Sequence, residues 1–274
     1  MKKIIAYIVV ILVIAAFAAY FIFGGMGGSQ PPPPPPPASS IPLFQTNIAE
    51  GSSSHPHDTA SFTEGFVFYK GYIYESTGLN GKSKLLKINP ANWQIEKQVS
   101  LDEKYFGEGI AILHDSIYQL TYQEHAVFVY DLNLIKRREM YFDTDTHEGW
   151  GMTTDGQNLI VSDGSSNLQV FDPSNFKLIK RIPVTEDGYP VAKVNELEMI
   201  NGYIYANQWF SDWIFKIDPG TGAIIAKSDV STIRNQTVQN NQEAVTNGIA
   251  YDSSSKKIYI TGKNWPSLYE VKFQ

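Results

Sequence analysis

Between Ser61 and Gln274 the chain repeats one pattern of hydrophobic and polar positions five times. Each copy opens with an acidic or amide residue and a short apolar stretch. A tight turn then leads into a strand whose apolar and aromatic residues alternate with polar ones, as a half-buried strand requires. The copies start at Glu64-Gly65-Phe66, Glu108-Gly109-Ile110, Glu148-Gly149-Trp150, Glu196-Leu197-Glu198 and Asn247-Gly248-Ile249. Successive starts lie 44, 40, 48 and 51 residues apart. A repeat of this length built from strands predicts an all-β fold, a five-bladed β-propeller.

The last copy of the repeat is one strand short. A third strand follows in every copy, and four copies continue into a fourth, but the fifth reaches Gln274 first. Unpaired strand edges are a liability that closed sheets avoid. The segment Leu43 to Ala49, just before the first copy, can add itself as the outermost strand of the last blade. We therefore predict a ring closed by an N-terminal strand.

Composition agrees with one large β domain over residues 41–274. The chain is 43% hydrophobic and 13% aromatic, which suffices for a sizeable core. It has no cysteine, which excludes disulfides, a thiolate nucleophile and a cysteine-based metal site. Residues 1–40 contain two lysines and no acidic residue, so the remainder has a net charge of −8. A nucleic-acid partner is not expected, because such proteins present a basic face.

The N-terminus has a different character. Lys2 and Lys3 precede an unbroken apolar run from Ile4 to Phe23, long enough at about 1.5 Å per residue to cross a hydrocarbon core of roughly 30 Å. Residues 1–23 are therefore predicted to be a transmembrane anchor with the propeller outside the cytoplasm, periplasmic or extracellular. The alternative is a signal peptide cleaved after Ala16-Phe17-Ala18, which would make the protein secreted. We favour the anchor, because cleavage there would leave an aromatic-rich stretch on the mature chain.

A linker is predicted at residues 24–40. Its glycines give flexibility, and Pro31 to Pro37 should form a polyproline II rod of about 22 Å. The rod would hold the propeller away from the membrane. We expect the protein to be a monomer.

Propeller topology indicates where function resides. In a four-stranded blade, the start of the innermost strand and the end of the second strand lie at the same face of the disc. First-strand starts should bring to that face Phe62, Glu64, Phe106, Glu108, Glu148, Trp150, Asn195, Glu196 and Glu198. Second-strand ends should bring Tyr122, Trp209, Lys263 and Trp265. Apolar walls with a few convergent polar groups are typical of a small-ligand site, and carboxylates crowded there should have raised pKa values.

The residues at this face resemble those of a known enzyme family. The relevant motifs are Pro56-His57-Asp58 before Phe62-Thr63-Glu64-Gly65-Phe66, Tyr105-Phe106-Gly107-Glu108-Gly109, Glu148-Gly149-Trp150-Gly151, Asn195-Glu196-Leu197-Glu198, Tyr205-Ala206-Asn207-Gln208-Trp209, Asn247-Gly248-Ile249-Ala250-Tyr251 and Thr261-Gly262-Lys263-Asn264-Trp265-Pro266. In this order, across all five blades, they are similar to the plant-type and bacterial glutaminyl cyclases (glutamine cyclotransferases). The resemblance implies cyclisation of an N-terminal glutamine to pyroglutamate with loss of ammonia, on a peptide or protein substrate and without a cofactor.

The resemblance also implies roles for individual residues. A carboxylate with a pKa near neutrality can carry a proton from the attacking amine to the leaving nitrogen, and Glu108 is the candidate. Asn195 and Lys263 are candidate donors to the amide oxygen. The residues expected to bind the substrate are Phe62, Glu64, Phe106, Tyr122, Trp150 and Trp209. Two positions depart from the family pattern, which usually has Gln in place of Glu64 and Trp in place of Tyr122.

Other interpretations of the same residues stay open. Glu148, Glu196 and Glu198 are interpreted first as partners of neighbouring blade backbones. His55, His57 and Asp58 have ligand-type spacing but are interpreted as a structural turn, and no metal site is predicted. Two other functions are compatible with the fold. One is a membrane-tethered propeller that binds a peptide or partner without turnover, and the other is a metal-centred propeller hydrolase or lyase.

Overall fold

A computed structural model describes residues 39–49, 54–238 and 241–274. Five antiparallel sheets, each of four strands in its main path, stand side by side around a common axis. The innermost strand of each sheet contacts the innermost strands of both neighbours, so the ring is closed. The predicted all-β five-bladed propeller is confirmed.

Two short strands precede the repeats, and the blades then follow in chain order. The preceding strands are β1 (Thr46–Ile48) and β2 (His55–Pro56). Blade 1 has β3 (Thr63–Tyr69), β4 (Tyr72–Thr77), β5 (Lys84–Asn89) and β6 (Gln94–Ser100). Blade 2 has β7 (Gly107–Leu113), β8 (Ser116–Thr121), β9 (Ala126–Asp131) and β10 (Lys136–Tyr141). Blade 3 has β11 (Met152–Thr154), β12 (Leu159–Ser162), β13 (Asn167–Phe171) and β14 (Leu178–Pro183).

A small hairpin and a short helix accompany the last two blades. The hairpin consists of β15 (Thr185–Glu186) and β16 (Tyr189–Pro190). Blade 4 has β17 (Val194–Ile200), β18 (Tyr203–Gln208), β19 (Trp213–Ile217) and β20 (Ile224–Asp229). Helix α1 (Ser231–Thr237) leads to blade 5, whose own strands are β21 (Thr246–Asp252), β22 (Lys257–Gly262) and β23 (Ser267–Phe273).

The missing fourth strand of blade 5 comes from the N-terminal segment. Strand β1 pairs antiparallel with β23, with Thr46 opposite Phe273 and Ile48 opposite Val271. The sheet order is therefore β1-β23-β22-β21. The predicted closure through residues 43–49 is confirmed, with the regular strand limited to residues 46–48.

Glycines at the inner strands allow the blades to approach one another. A Cβ on Gly109 would lie 2.5 Å from both the amide nitrogen of Met152 and the carbonyl oxygen of Trp150. With no side chain there, Gly109 N donates to Trp150 O at 2.7 Å. The repeated acid-glycine start thus reflects a close backbone approach between neighbouring inner strands.

Blade 4 has leucine at the corresponding position and uses carboxylates instead. Glu196 accepts hydrogen bonds from the amides of Ile249 at 2.9 Å and Phe66 at 3.3 Å. Glu198 accepts from the amide of Tyr251 at 2.9 Å. Both carboxylates therefore serve backbones of other blades, as interpreted from the sequence. Burial raises the pKa of Glu198 to about 8 and that of Glu196 well above its usual range.

The hydrophobic core consists of clusters between adjacent blades. One example joins blades 1 and 5 through Phe66, Ile73, Ala250 and Tyr259. Outer strands such as β10 have mainly exposed side chains, whereas the innermost strand β7 is buried along its length. Burial therefore increases from the outer strands to the inner ones. The tightly packed inner strands hold their ends in place, and the predicted site lies at those ends.

A buried ion pair links the N-terminal segment to blade 1. His57 Nε2 lies 3.1 Å from Glu75 Oε1, with the two side chains 2% and 1% exposed. On its other side, His57 Nδ1 donates to the carbonyl oxygen of Trp265 at 2.8 Å. Thr63 donates to the same Glu75 oxygen at 2.8 Å. His57 thus has a structural role at the seam between blades 5 and 1. The expected turn is not found at His55, because His55 and Pro56 form strand β2 and pair with β23.

The predicted membrane anchor at residues 1–23 lies outside the described residues, as does the linker up to residue 38. Within the part of the chain that the structure describes, no helix combines the length and apolar character needed to cross a bilayer.

Candidate active site

A cavity of about 220 Å³ opens at the propeller face where first strands start and second strands end. The nine residues predicted for the site all line it: Phe62, Glu64, Phe106, Glu108, Tyr122, Trp150, Asn195, Trp209 and Lys263. Leu79 and Glu243 complete the lining. The volume is below the roughly 300–1,000 Å³ of drug-sized ligand pockets. It suits a single side chain with its adjoining backbone.

Strand ends from four blades supply the polar groups of the cavity. Glu64 lies near the start of β3 and Glu108 near the start of β7, while Asn195 lies near the start of β17. Lys263 follows directly after β22. Because inner strands converge on the propeller axis, these four side chains meet although up to 199 residues separate them in sequence.

The centre of the site is a buried ion pair. Lys263 Nζ donates to Glu64 Oε1 at 2.6 Å, with the two side chains 7% and 2% exposed. Asn247 Nδ2 donates to the other oxygen of Glu64 at 3.2 Å. Lys263 Nζ also lies 4.4 Å from the centroid of the Phe62 ring. Glu64 thus has a fixed cationic partner.

Glu108 has the electrostatics of a proton carrier. Burial, followed by the negative charge of Glu64, raises the pKa of Glu108 well above its usual range, and the Lys263 charge only partly opposes this. Burial also raises the pKa of Glu64, against the charge and hydrogen bond of Lys263 and a hydrogen bond with Glu108. Because Glu64 and Glu108 each shift the pKa of the other, the two carboxyl groups titrate as a pair. A carboxyl group with a raised pKa can both accept and donate a proton near neutral pH.

Aromatic rings form the cavity walls in two groups. The Phe106 ring centroid lies 6.2 Å from that of Phe62, edge to face, and 5.8 Å from that of Tyr122. The second group consists of Trp150 and Trp209, whose rings meet edge to face at 5.4 Å. Gly78 makes room for Phe106, because a Cβ there would lie 2.3 Å from the ring. These contacts hold the walls in a fixed arrangement.

Glu148 holds two of the wall residues by hydrogen bonds. Tyr122 Oη donates to its Oε1 at 2.7 Å, Gln123 Nε2 to the same oxygen at 2.9 Å, and Trp150 Nε1 to Oε2 at 3.0 Å. The interpretation of Glu148 as a partner of neighbouring backbones was wrong, since its carboxylate binds side chains of blade 2 and of the chain entering blade 3. Burial acts to raise the pKa of Glu148, but the three hydrogen bonds together hold it below its usual value.

Asn195 brings an unused hydrogen-bond acceptor to the cavity. Its side chain is buried, and Oδ1 has no hydrogen-bond partner among the described residues. Its backbone is fixed, because Ser162 Oγ donates to its carbonyl oxygen at 2.8 Å. A bound molecule can therefore supply an N–H donor to Asn195 Oδ1.

Four residues expected at this face do not line the cavity, and two unexpected ones do. Glu148 lies behind the wall and binds Tyr122 and Trp150, as described above. Trp265 is fully buried, and its Nε1 donates to Ala244 O at 3.1 Å. Glu196 and Glu198 bind backbone amides, as described above. Leu79 and Glu243 come from loops rather than from strand ends, so the topology rule could not locate them.

Comparison with known proteins points in one direction. The family model described as "Glutamine cyclotransferase" matches residues 33–273. A glutaminyl-peptide cyclotransferase from Arabidopsis thaliana is 36% identical over 232 residues, covering 83% of this chain and 72% of the relative. The crystal structure of Myxococcus xanthus glutaminyl cyclase superposes with a TM-score of 0.78 at 34% identity, covering 85% of this chain and 98% of that one.

Proposed function

Because this chain belongs to the glutamine cyclotransferase family, we propose that it is a glutaminyl-peptide cyclotransferase whose proton shuttle is Glu108. The enzyme converts the N-terminal glutamine of a peptide or protein to pyroglutamate and releases ammonia. The observation that carries the proposal is the cavity in which Glu108, Asn195 and Lys263 lie among aromatic walls.

The reaction needs one net proton transfer. The neutral α-amine attacks the γ-carboxamide carbon, which forms the ring C–N bond. The bond from that carbon to the amide nitrogen then breaks, and ammonia leaves. The amine must lose a proton and the departing nitrogen must gain one. Glu108, whose pKa lies well above its usual range, is suited to take the first and give the second.

The polar groups and the aromatic walls of the cavity would stabilise the transition state between bound glutamine and the cyclic product. Lys263 Nζ binds Glu64 but has further N–H donors for the amide oxygen as it gains negative charge. Asn195 is the second polar contact for the substrate amide. The aromatic walls would keep the glutamine side chain bent over its own amine. Because the reaction is intramolecular, holding that conformer supplies much of the rate gain.

Ammonia release tests this function against the two alternatives. The purified full chain, incubated with a glutamine-initiated peptide, should release ammonia continuously, and a chelator should leave the rate unchanged. Binding of the peptide without ammonia would favour the non-catalytic propeller. Loss of activity on chelation, restored by a divalent ion, would favour the metal-centred hydrolase or lyase.

Glu64→Gln should move the pH dependence of activity while preserving turnover. The substitution removes a negative charge that raises the pKa of Glu108, so that pKa should fall. The limb of the kcat/KM profile set by Glu108 should therefore shift to lower pH. The matched control is Tyr122→Trp, the other departure from the family pattern, which changes no charge and should leave that limb in place. An unmoved limb in Glu64→Gln would show that the two carboxyl groups are not coupled.

We also propose that residues 1–23 anchor the protein in a membrane with the propeller outside the cytoplasm, and that it acts as a monomer. The apolar run after Lys2 and Lys3 supports the anchor. For the monomer, the support is that the cavity lining from one chain already includes the proposed proton carrier, both proposed donors and the aromatic walls. Protein sequencing would contradict the anchor if the mature N-terminus lay near Ala19. A detergent-corrected particle mass of two chains would contradict the monomer.

A further inference from the structure

A second cavity adjoins the proposed active site, and we propose that it receives the side chain of the substrate's second residue, with preference for a positively charged one. This inference rests on the proposed function. The cavity measures about 210 Å³ and is lined by Phe210, Ser211, Asp212, Arg234, Gln242 and Val245. Its walls continue those of the active site, since Trp209 and Glu243 line the first cavity while their chain neighbours line the second.

The position of the second cavity suits the residue after glutamine. The reacting amine and side chain of the glutamine occupy the first cavity, so the rest of the peptide must leave through its mouth. The next Cα lies only about 3.8 Å from that of the glutamine. The loops that carry Trp209 and Glu243 line the first cavity and continue into the second, so they lie within reach of the second side chain.

Phe210 supplies an aromatic surface there. It is 53% exposed, although large apolar side chains are usually buried. Its backbone has φ of 55°, a left-handed conformation that non-glycine residues adopt infrequently. The ring contacts Trp209, with 4.6 Å between centroids. An exposed aromatic ring beside a binding cavity can stack against an aliphatic stem or a cationic group.

Charge at the junction favours a cation. Glu243 is exposed, and no basic side chain of the described residues lies within ion-pair distance of its carboxylate. Asp212 already has a partner in Arg234, 3.6 Å away. The Arg234 guanidinium also donates to the carbonyl oxygens of Ala244 and Asn241, each at 3.3 Å, which holds it inside the loop. The positive charges here are Arg234, which is offset by Asp212, and Lys193, which lies over the Trp209 ring at 5.6 Å.

Peptides that differ only at the second residue provide the test. We would compare kcat/KM for Gln-Arg, Gln-Ala and Gln-Glu versions of one sequence at low ionic strength. An exposed charge pair contributes up to about 1 kcal/mol, so Gln-Arg should exceed Gln-Glu by about fivefold. The ratio should shrink in high salt, because salt screens exposed charges.

Two variants test whether the preference for a cationic second residue comes from Glu243 and Phe210. Glu243→Gln should bring the Gln-Arg to Gln-Glu ratio close to one, and Phe210→Ala should lower kcat/KM more for Gln-Arg than for Gln-Glu. Two matched controls remove an exposed carboxylate or aromatic ring outside both cavities. These are Glu96→Gln and Tyr189→Ala, and both should keep the wild-type ratio.

The outcomes separate this inference from the function on which it depends. If all three peptides are cyclised with equal kcat/KM, or if the ratio survives both Glu243→Gln and Phe210→Ala, the second-residue site is overturned and the cyclase stands. If none of the peptides is cyclised, the proposed function fails and this inference fails with it.

Discussion

Glu108→Gln should lower kcat by at least about a hundredfold while changing KM by less than about threefold. The glutamine introduced at position 108 keeps the size of the side chain and one acceptor oxygen. The cavity and its contacts with the substrate should therefore survive. The introduced glutamine cannot exchange a proton near neutral pH, however, and both proton transfers of the proposed path pass through this position. Steady-state kinetics on a glutamine-initiated peptide would measure the effect.

A matched control separates proton transfer from a general effect of losing a buried carboxyl group. Glu198→Gln makes the same chemical change in a buried residue outside the cavity, where an amide oxygen can still accept from the Tyr251 amide. We expect this variant to keep kcat within about threefold of the wild type. If Glu108→Gln turned over at the wild-type rate, the assignment of the proton shuttle would be wrong.

His57→Ala should reduce the free energy of unfolding by about 3–5 kcal/mol, because it leaves the buried Glu75 carboxylate without its cationic partner. The pair connects blade 1 to the segment that follows the ring-closing strand β1. Its loss should therefore act on the whole propeller. Urea unfolding at pH 6 would measure the change. The control is His147→Ala, which removes an exposed ion pair with Asp143. It should lower the free energy of unfolding by less than about 1 kcal/mol.

The same pair should make stability depend on pH. Burial acts to lower the pKa of His57, but the charge and hydrogen bond of Glu75, with further contacts, raise it overall. A histidine with a raised folded-state pKa contributes stability that is complete below the unfolded value of about 6.5. That contribution disappears as the pH rises through the folded pKa. The difference between wild type and His57→Ala should therefore narrow at alkaline pH, and a constant difference across this range would contradict a charged pair.

The sequence was sufficient for the ring and for most of the cavity lining because both follow from strand order. Starts of first strands and ends of second strands meet at one face in every blade, which is why Glu64, Glu108, Asn195 and Lys263 converge. The closing strand could be predicted because the fifth repeat lacked one strand and the segment at residues 43–49 was otherwise unassigned.

The rest of the site depends on side-chain direction and on loops, which strand order does not specify. Trp265 was expected at the rim, but its indole is directed inward towards Ala244 O, over Gly262, where a Cβ would lie 2.4 Å from the ring. Glu148 binds across two blades, which no local pattern records. Leu79 and Glu243 lie in loops without a motif. The strands around all four residues had been placed correctly. What the sequence did not specify was the direction of a side chain or the course of a loop.

The mass of the product peptide tests the central claim most directly. The full chain would be incubated with a glutamine-initiated peptide and with an isomer in which that glutamine and the second residue are exchanged, and both would be followed by mass spectrometry. The proposed enzyme should remove one ammonia from the first peptide and leave the second unchanged, and Glu108→Gln should largely abolish the conversion. A folded protein that leaves the glutamine-initiated peptide at its original mass would contradict cyclisation as the function of this cavity.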